Sequence, residues 1–389
     1  MKTLAARVES LRRSEIRVLF DAADDQPDAI RLEVGEPSFT TPAHIIDAAA
    51  AAAREGHTGY GPNGGLESLR HLLSDKIFRV NGFSAEPTNI VVTPGAMNAL
   101  FSIYMALLEP GDEVLLPTPG FPNMDEMVRL FGGLPVFYEL DPNSDFIPDV
   151  DEIDRLCGAK TKAVFINTPS NPTGAVFPPA VVRSIVDVTR EHGVWLISDE
   201  VYDEMILDPA AAHASAASFP GSDHVVSVFS FSKIYAMTGW RVGYAAAPAH
   251  FADRLRVLQE PEVSCPSTIS QKAAEAALSG PRAPIEEMID AYRRRRALAL
   301  DVASSEGLTV VPPAGALYMM VSISEAPSSS LDFALHLLET QSVSVAPGSV
   351  FGPAGEGWVR ISLAADDELL VEGLRRLAKT LRAQTVVAT

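Results

Sequence analysis

The sequence predicts an α/β fold in which a mainly parallel sheet lies between layers of helices, followed by a smaller α+β region. Two observations predict it. Between residues 89 and 230, short apolar runs rich in β-branched residues alternate with helical patterns, and such alternation builds parallel sheets covered on both faces. After about residue 250, long helical patterns come first and several strands follow, as in a separate α+β unit.

The predicted elements come in the following order. An amphipathic arm over residues 1 to about 30 leads to a strand at 30–34, and a helix then begins at Thr41-Pro42 and reaches about residue 55, because a capping residue precedes a proline there. Strands are predicted at 90–93, 113–116, 134–140, 162–167, 194–198 and 225–229, with helices at 96–108, 124–131 and 180–192. The last part has helices at 251–278 and 284–305, strands at 308–311, 316–323, 343–346 and 358–361, and a helix from 366 to about 382.

Composition excludes several classes of protein. The net charge of −19 opposes binding to nucleic acids or anionic membranes, and 47% hydrophobic residues suffice for a large core. Cys157 and Cys265 lie far apart and lack the neighbours of a zinc site, so we expect no metal. Charges occur throughout the N-terminal segment, and no apolar run reaches about 18 residues. We therefore expect a cytoplasmic protein.

One glycine-rich segment resembles a dinucleotide fingerprint. Residues 59–64 read GYGPNG and formally match G-x-G-x-x-G. The fingerprint requires a strand before it and a helix after its first glycine, whereas here a helix precedes it and Pro62 interrupts it. We therefore interpret the segment as a surface loop that presents Tyr60.

Polar residues follow several of the predicted strands. Asn171 lies in a loop with two prolines and a glycine after strand 162–167, and Asp199 and Tyr202 follow strand 194–198. Gly95 separates strand 90–93 from the next helix, whose free N–H groups and dipole favour an anion. Because parallel strands end at one edge of their sheet, these residues are predicted to meet there, where ligands of such sheets bind.

Lys233 indicates the chemistry of this edge. It follows strand 225–229, and Arg241 comes eight residues later, so an amine able to form a Schiff base lies near a cation able to bind phosphate, as pyridoxal phosphate requires. Asp199 is suited to keep a pyridine nitrogen protonated, although read alone it is equally a helix cap. Residues 230–233 also match S-x-x-K of penicillin-recognising enzymes, but the S-D-N and K-T-G motifs of those enzymes are missing from the sequence.

The motifs together resemble a known family. Residues 171–174 (NPTG), 198–202 (SDEVY), 230–233 (SFSK) with 238–244 (TGWRVGY), and 359–362 (VRIS) are similar to those of class I aminotransferases, which are fold type I pyridoxal phosphate enzymes. The resemblance runs from residue 35 to the final helix and is greatest to the branch of bacterial aspartate and broad-range aminotransferases. It implies a seven-stranded sheet, a large domain (41–285), a small domain (286–389) and an N-terminal arm with part of the small domain (1–40).

The resemblance also implies roles for individual residues. Lys233 forms the Schiff base and moves protons, Asp199 partners the pyridine nitrogen, and Asn171 and Tyr202 partner the ring oxygen. Further cofactor contacts are implied for Gly95, Ala96, Met97, Phe121, Ser230 and Arg241, and for Tyr60 of the neighbouring subunit of a homodimer. Arg360 is expected to bind the substrate α-carboxylate as a two-pronged donor, with Gly35, Ser38, Phe39 and Asn171 also bordering the substrate.

This sequence departs from the family pattern at two places. Many relatives have serine or threonine where Ala96 and Met97 stand, so backbone N–H groups are expected to serve the phosphate here. Phe121 replaces a more usual tyrosine or tryptophan, which keeps the stacking surface and removes a hydrogen-bond donor.

The expected reaction moves an amino group between an L-amino acid and a 2-oxo acid. A pyridoxal phosphate-dependent lyase, synthase or oxidase on the same scaffold is the alternative, since the pocket decides which bond breaks. A transcription regulator built on this fold needs a DNA-binding segment, for which the N-terminal arm leaves no room. The substrate side chain stays open, and Phe39 only hints at apolar or aromatic ones.

Overall fold

A seven-stranded sheet forms the centre of the computed structural model, which describes residues 3–9, 11 and 15–388. Its β-strands are β2 (Ile90–Thr93), β3 (Glu113–Thr118), β4 (Leu134–Glu139), β5 (Thr161–Asn167), β6 (Trp195–Asp199), β7 (Val225–Ser230) and β8 (Gly243–Ala246), in the order β2-β8-β7-β6-β5-β3-β4. Only β8 runs antiparallel to its neighbours. The prediction of a mainly parallel seven-stranded sheet is confirmed.

The remaining strands form two small sheets. They are β1 (Ile30–Arg31), β9 (Tyr318–Ser322), β10 (Val343–Ser344), β11 (Ala346–Pro347) and β12 (Trp358–Ser362). β1 pairs in parallel with β10, and β9 lies antiparallel to β12, which is antiparallel to β11. A strand near the N-terminus is thereby joined to the last part of the chain.

The helices cover both faces of the large sheet and surround the smaller ones. They are α1 (Ala6–Glu9), α2 (Glu15–Asp24), α3 (Ala43–Arg54), α4 (Glu67–Lys76), α5 (Ala96–Leu107), α6 (Asn123–Leu130), α7 (Val150–Leu156), α8 (Pro179–His192), α9 (Ala249–Val263), α10 (Thr268–Ser279), α11 (Ala283–Glu306), α12 (Ser330–Gln341) and α13 (Asp367–Ala388). None of these described helices is both long and apolar enough to span a bilayer.

Alternating side chains of the central strands explain why both faces are covered. Along β5, Val164 and Ile166 pack into the cluster that includes α8, whereas Phe165 packs into the cluster that includes α5. Successive side chains of a strand point to opposite faces, so a continuous apolar run has two faces to bury. The central strands are apolar along their whole length because both faces of the sheet are buried.

Several element boundaries differ from the sequence prediction. The strand expected at 308–311 contributes a single bridge, Val310 to Val321, and the one expected at 343–346 is divided between two sheets. The helix expected at 251–278 is interrupted after Val263, because Ser264 has a positive φ of 62°, which does not occur within an α-helix, and Pro266 follows it. Thr41 caps no helix, since its hydroxyl donates to the carbonyl of Ala236.

Other elements were shortened or missed. The strand expected at 30–34 has only two paired residues, and helices α4, α7 and α12 and strand β8 were not predicted. The arm expected over residues 1 to about 30 contains α1 and α2, while its residues 1, 2, 10 and 12–14 lie outside the described part.

Candidate active site

A cavity of about 500 Å³ lies at the carboxyl edge of the large sheet. Most of the predicted site residues line it, namely Gly35, Ala96, Met97, Phe121, Asn171, Asp199, Tyr202, Ser230, Lys233, Arg241 and Arg360. Most of them come from the ends of β5, β6 and β7, the start of α5 and strand β12, while Gly35, Phe121 and Arg241 lie in loops. The strand topology thus brings together residues that are as far as 325 positions apart in the chain.

Lys233 follows the end of β7 and is half-buried. The turn that carries it is held by a bond from the backbone N–H of Ser232 to the hydroxyl of Ser230, at 3.0 Å. Its Nζ donates to the carbonyl oxygen of Gly35 at 2.5 Å. The amine therefore faces the cavity and not bulk solvent.

Asp199 is the last residue of β6 and is only 4% exposed. Its carboxylate accepts one hydrogen bond, from the backbone N–H of Val201 at 3.3 Å. Burial raises the pKa of Asp199 to about 7, and the neighbouring Glu200 adds to the rise, while the Val201 bond and the charge of Lys233 act against it. A buried carboxylate with so little support is suited to a cationic N–H donor from a ligand.

Tyr202 lies three residues beyond Asp199 and is also buried. Its hydroxyl is 3.1 Å from the hydroxyl of Tyr318 on β9. Burial raises the pKa of Tyr202 well above its ordinary value, and the neighbouring Tyr318 adds to the rise. Tyr202 therefore keeps its proton and can donate it in a hydrogen bond.

The start of α5 and Arg241 form an anion-binding end of the cavity. Gly95 caps this helix with φ 83°, and Ala96 and Met97 are its first residues, with backbone N–H groups that the helix itself does not use. A Cβ on Gly95 would lie 2.5 Å from Nη2 of Arg241, and the positive φ of this residue also favours glycine. The helix dipole and the guanidinium together favour a phosphate group.

Arg360 on β12 provides a second cation to the cavity. It is buried, and its Nη1 donates to Oδ1 of Asn171 at 2.9 Å while its Nη2 donates to the carbonyl oxygen of Glu33 at 2.7 Å. Its Nε lacks a partner among the described residues, and burial lowers the pKa of Arg360. A guanidinium in this condition gains from a carboxylate ligand.

Four predicted residues do not line this cavity, namely Gly95, which caps α5 next to Ala96, and Ser38, Phe39 and Tyr60. The hydroxyl of Ser38 accepts from Nη1 of Arg295 at 2.8 Å, and Phe39 packs edge-on against Tyr292, with ring centroids 5.8 Å apart. Ser38 and Phe39 therefore make these contacts outside the cavity. Tyr60 is 95% exposed on its loop and lies outside the cavity of its own chain.

Other residues reach the site without having been predicted. Asn167 ends β5 and bridges two predicted residues, because its Nδ2 donates to the carbonyl of Asp199 at 3.0 Å and its Oδ1 accepts from the N–H of Asn171 at 2.8 Å. Its place at a strand end was a signal that could have identified it. Tyr318 and the α2 residues Ile16, Arg17 and Phe20 also line the cavity, and no local motif marks them.

These features fit pyridoxal 5'-phosphate. The buried carboxylate of Asp199 matches a protonated pyridine nitrogen, Tyr202 matches the ring oxygen, and the start of α5 with Arg241 matches the phosphate. Phe121 lines the same cavity with an aromatic face. Among the described residues, no group of three histidine, cysteine, aspartate or glutamate side chains is placed to bind a metal.

Comparison with known proteins agrees with the geometry. The family model described as aminotransferase class I and II matches residues 27–377. The chain is 41% identical to the aspartate aminotransferase of Pyrococcus abyssi, over 97% of this chain and 98% of the relative. It is 38% identical to aromatic-amino-acid aminotransferase 2 of Thermococcus litoralis, over 99% and 100%. Both relatives are matched along essentially their whole length.

A solved structure gives the same result. The aspartate aminotransferase of Thermus thermophilus with maleate superposes with a TM-score of 0.93 at 37% identity, covering 98% of this chain and 100% of that one. The aspartate/prephenate aminotransferase of the same organism is 36% identical over 98% of this chain and 99% of its own length. The chain therefore belongs to the aminotransferase class I and II family and is a pyridoxal phosphate-dependent aminotransferase.

Proposed function

We propose that Lys233 is the residue that forms a Schiff base with pyridoxal phosphate and that moves the substrate proton. The single observation that supports this most strongly is that Lys233, Asp199 and Arg360 face one cavity from three different elements. When bound, the cofactor supplies an electron sink that stabilises the carbanion formed at the substrate Cα. The remaining work falls to the side chains of this chain.

Each side chain has a separate task in this proposal. Arg360 binds the α-carboxylate and orients the substrate, and Asn171, which accepts from it, restricts its rotation. Asp199 holds a proton on the pyridine nitrogen, and Tyr202 donates to the ring oxygen. The amine of Lys233 would remove the proton from the Cα of the substrate and deliver it to the carbon of the cofactor that bears the transferred nitrogen.

The substrate side chain is proposed to meet helix α2. The guanidinium of Arg17 lies over the ring of Phe20, at 5.2 Å, and Arg31 lies over the same ring at 4.5 Å. Arg31 is held by Asp24 and Glu33, whereas Arg17 lines the cavity. A wall with a cation and an aromatic ring suits both acidic and aromatic side chains, which agrees with relatives named for aspartate, aromatic amino acids and prephenate.

We further propose a homodimer in which Tyr60 serves the neighbouring site. Tyr60 is 95% exposed, the exposed Ile46 and Phe78 lie within 20 positions of it in the chain, and the exposed Val257 lines a surface pocket together with residues 62–65. Several exposed apolar side chains around one loop are typical of a protein interface. Light scattering should give twice the chain mass. Tyr60→Phe should weaken cofactor binding without dissociating the dimer, and a monomeric mass would contradict the proposal.

We propose a division into an N-terminal arm (1–40), a large domain (41–285) and a small domain (286–389), which limited proteolysis tests by its first cleavage sites. We also propose a cytoplasmic location, which cell fractionation tests.

The experiment for the central proposal uses Lys233→Ala. The purified wild-type protein with added pyridoxal phosphate should show a visible absorbance band that borohydride fixes to residue 233, as a mass shift of one peptide. Lys233→Ala should lose this label and reduce transamination by roughly a thousandfold or more. The control is Lys160→Ala, at an exposed lysine beyond α7. A label on another lysine would refute the assignment.

A further inference from the structure

Tyr318 touches two of the groups to which roles have been assigned. It is the first residue of β9, is only 2% exposed and lines the cavity. The guanidinium of Arg360 lies over its ring at 4.2 Å, and its hydroxyl lies 3.1 Å from that of Tyr202. One side chain thus connects the carboxylate end of the site with the ring-oxygen end.

Strand pairing explains how Tyr318 reaches Arg360. In the antiparallel pair of β9 and β12, Arg360 stands opposite Met320, and Tyr318 stands opposite Ser362. Residues two apart on a strand point to the same face, so Tyr318 and Arg360 are diagonal neighbours on one face of the sheet. A long aromatic side chain spans that diagonal, and its face is the electrostatically negative surface that a guanidinium prefers.

The hydroxyl of Tyr318 has one proton and two neighbouring acceptors. One is the carbonyl oxygen of Gly35 at 3.4 Å, which also accepts from Lys233, and the other is the oxygen of Tyr202 at 3.1 Å. A Cβ on Gly35 would collide with this hydroxyl, so the glycine makes room for it. When Tyr202 donates its own proton to another acceptor, its oxygen is free to accept from Tyr318. The hydroxyl of Tyr318 should then donate to Tyr202 in preference to Gly35, because the oxygen of Tyr202 is closer.

We propose that Tyr318 is a positioning residue that supports Arg360 with its ring and directs the hydroxyl proton of Tyr202 with its own hydroxyl. By donating to the oxygen of Tyr202, it leaves the proton of Tyr202 free for the ring oxygen of the cofactor, and bonds in such a chain strengthen one another. The inference rests on the proposed roles of Tyr202 and Arg360. Tyr318 acts through Tyr202 and Arg360 and does not itself contact the reacting atoms.

The hydroxyl is tested with Tyr318→Phe and the pH dependence of the visible absorbance of the bound cofactor. A donor to the ring oxygen withdraws electron density and lowers the proton affinity of the adjacent imine nitrogen, so losing the donor raises the midpoint pH. Tyr202→Phe should raise it by about one to two pH units, as expected for a charge-assisted bond. Tyr318→Phe should raise it by about 0.2 to 0.5.

The double variant decides whether the effect passes through Tyr202. Adding Tyr318→Phe to Tyr202→Phe should give no further shift, whereas an equal shift in both backgrounds, or none in either, overturns the inference. Asp199, Lys233, Glu33 and Arg360, the charged groups that face this hydroxyl pair, are kept in every variant. The matched control is Tyr138→Phe, which removes another buried hydroxyl bond, to the carbonyl of Phe165, outside the cavity.

The ring is tested by comparing Tyr318→Leu with Tyr318→Phe. Titration with maleate should give a Kd that is raised roughly 3- to 30-fold in Tyr318→Leu relative to Tyr318→Phe, since only the leucine variant loses the cation–π contact. Equal Kd values would overturn this half of the inference. Failure of the proposed function looks different, because the wild-type protein would then develop no visible absorbance with the cofactor.

Discussion

Replacing Asp199 by asparagine is expected to stabilise the cofactor-free protein and to weaken cofactor binding. In the cofactor-free protein, burial raises the pKa of this carboxyl from its ordinary 3.8 to about 7. Such a carboxyl holds its proton more tightly when folded, so the folded state becomes less stable as pH rises from the lower value to the higher. Asparagine carries no charge and escapes this cost.

The size of the effect follows from the two pKa values. Linkage gives a cost of the ionised carboxylate of about 2 kcal/mol at pH 5 and about 4 kcal/mol at pH 8. Urea unfolding of the cofactor-free proteins should therefore find Asp199→Asn more stable than wild type, by an amount that grows between these two pH values. Asp47→Asn, at an exposed position of α3, is the control and should show no such growth.

Cofactor binding should change in the opposite direction. The asparagine variant loses a charge-assisted bond to the pyridine nitrogen, which is worth about 1.5 to 3 kcal/mol, or roughly 10- to 150-fold in Kd. Equilibrium dialysis of pyridoxal phosphate measures it. The reasoning is refuted if the stability difference does not depend on pH, or if the variant binds the cofactor as tightly as wild type.

Three further changes test other parts of the site. Arg360→Lys should raise KM for the amino acid by roughly 10- to 100-fold. A lysine amine cannot replace the two bonds that Arg360 makes to Asn171 and Glu33 and bind a carboxylate as well. An unchanged KM in steady-state kinetics would contradict this. Arg17→Gln should lower kcat/KM for aspartate about three- to tenfold and spare phenylalanine, and an equal loss for both would argue against a charge contact. Lys76→Met should cost about 3 to 5 kcal/mol in urea unfolding, because it leaves the buried Asp203 unpaired, and Lys76→Met with Asp203→Leu should recover most of it.

The part of the site that the sequence predicts comes from strand ends. Lys233, Asp199 and Asn171 each follow an apolar run, and parallel strands end at one edge whatever their order in the sheet. To predict that these residues lie close together, it is therefore enough to recognise three strands and to infer that they are parallel. This prediction does not require knowing which strands that are far apart in the chain pair with each other.

The missed part depends on pairing between distant segments. Tyr318 meets Arg360 only because β9 and β12 pair in one register, and a shift by one residue would turn its side chain to the other face. Helix α2 reaches the cavity through packing of the chain start against residues more than 300 positions later. Ser38 and Phe39 illustrate the opposite case, because closeness to Gly35 in sequence does not place them in the cavity lining, and Ser38 instead accepts a hydrogen bond from Arg295.

The electrostatics of the site imply that ligands and folding stability are linked. Burial raises the pKa of Asp199 and lowers the pKa of Arg360, so both groups are charged at a cost to the folded protein at neutral pH. A pyridinium nitrogen reduces the first cost and a substrate carboxylate reduces the second. A ligand that binds only the folded state stabilises it, and the stabilisation free energy is larger when the ligand binds more tightly. Cofactor and substrate should therefore each raise the unfolding temperature. The rise in unfolding temperature caused by the cofactor should be smaller in Asp199→Asn, which removes the charge that the pyridinium pairs with. The rise caused by the substrate carboxylate should be smaller in Arg360→Lys, which removes the guanidinium that the carboxylate pairs with.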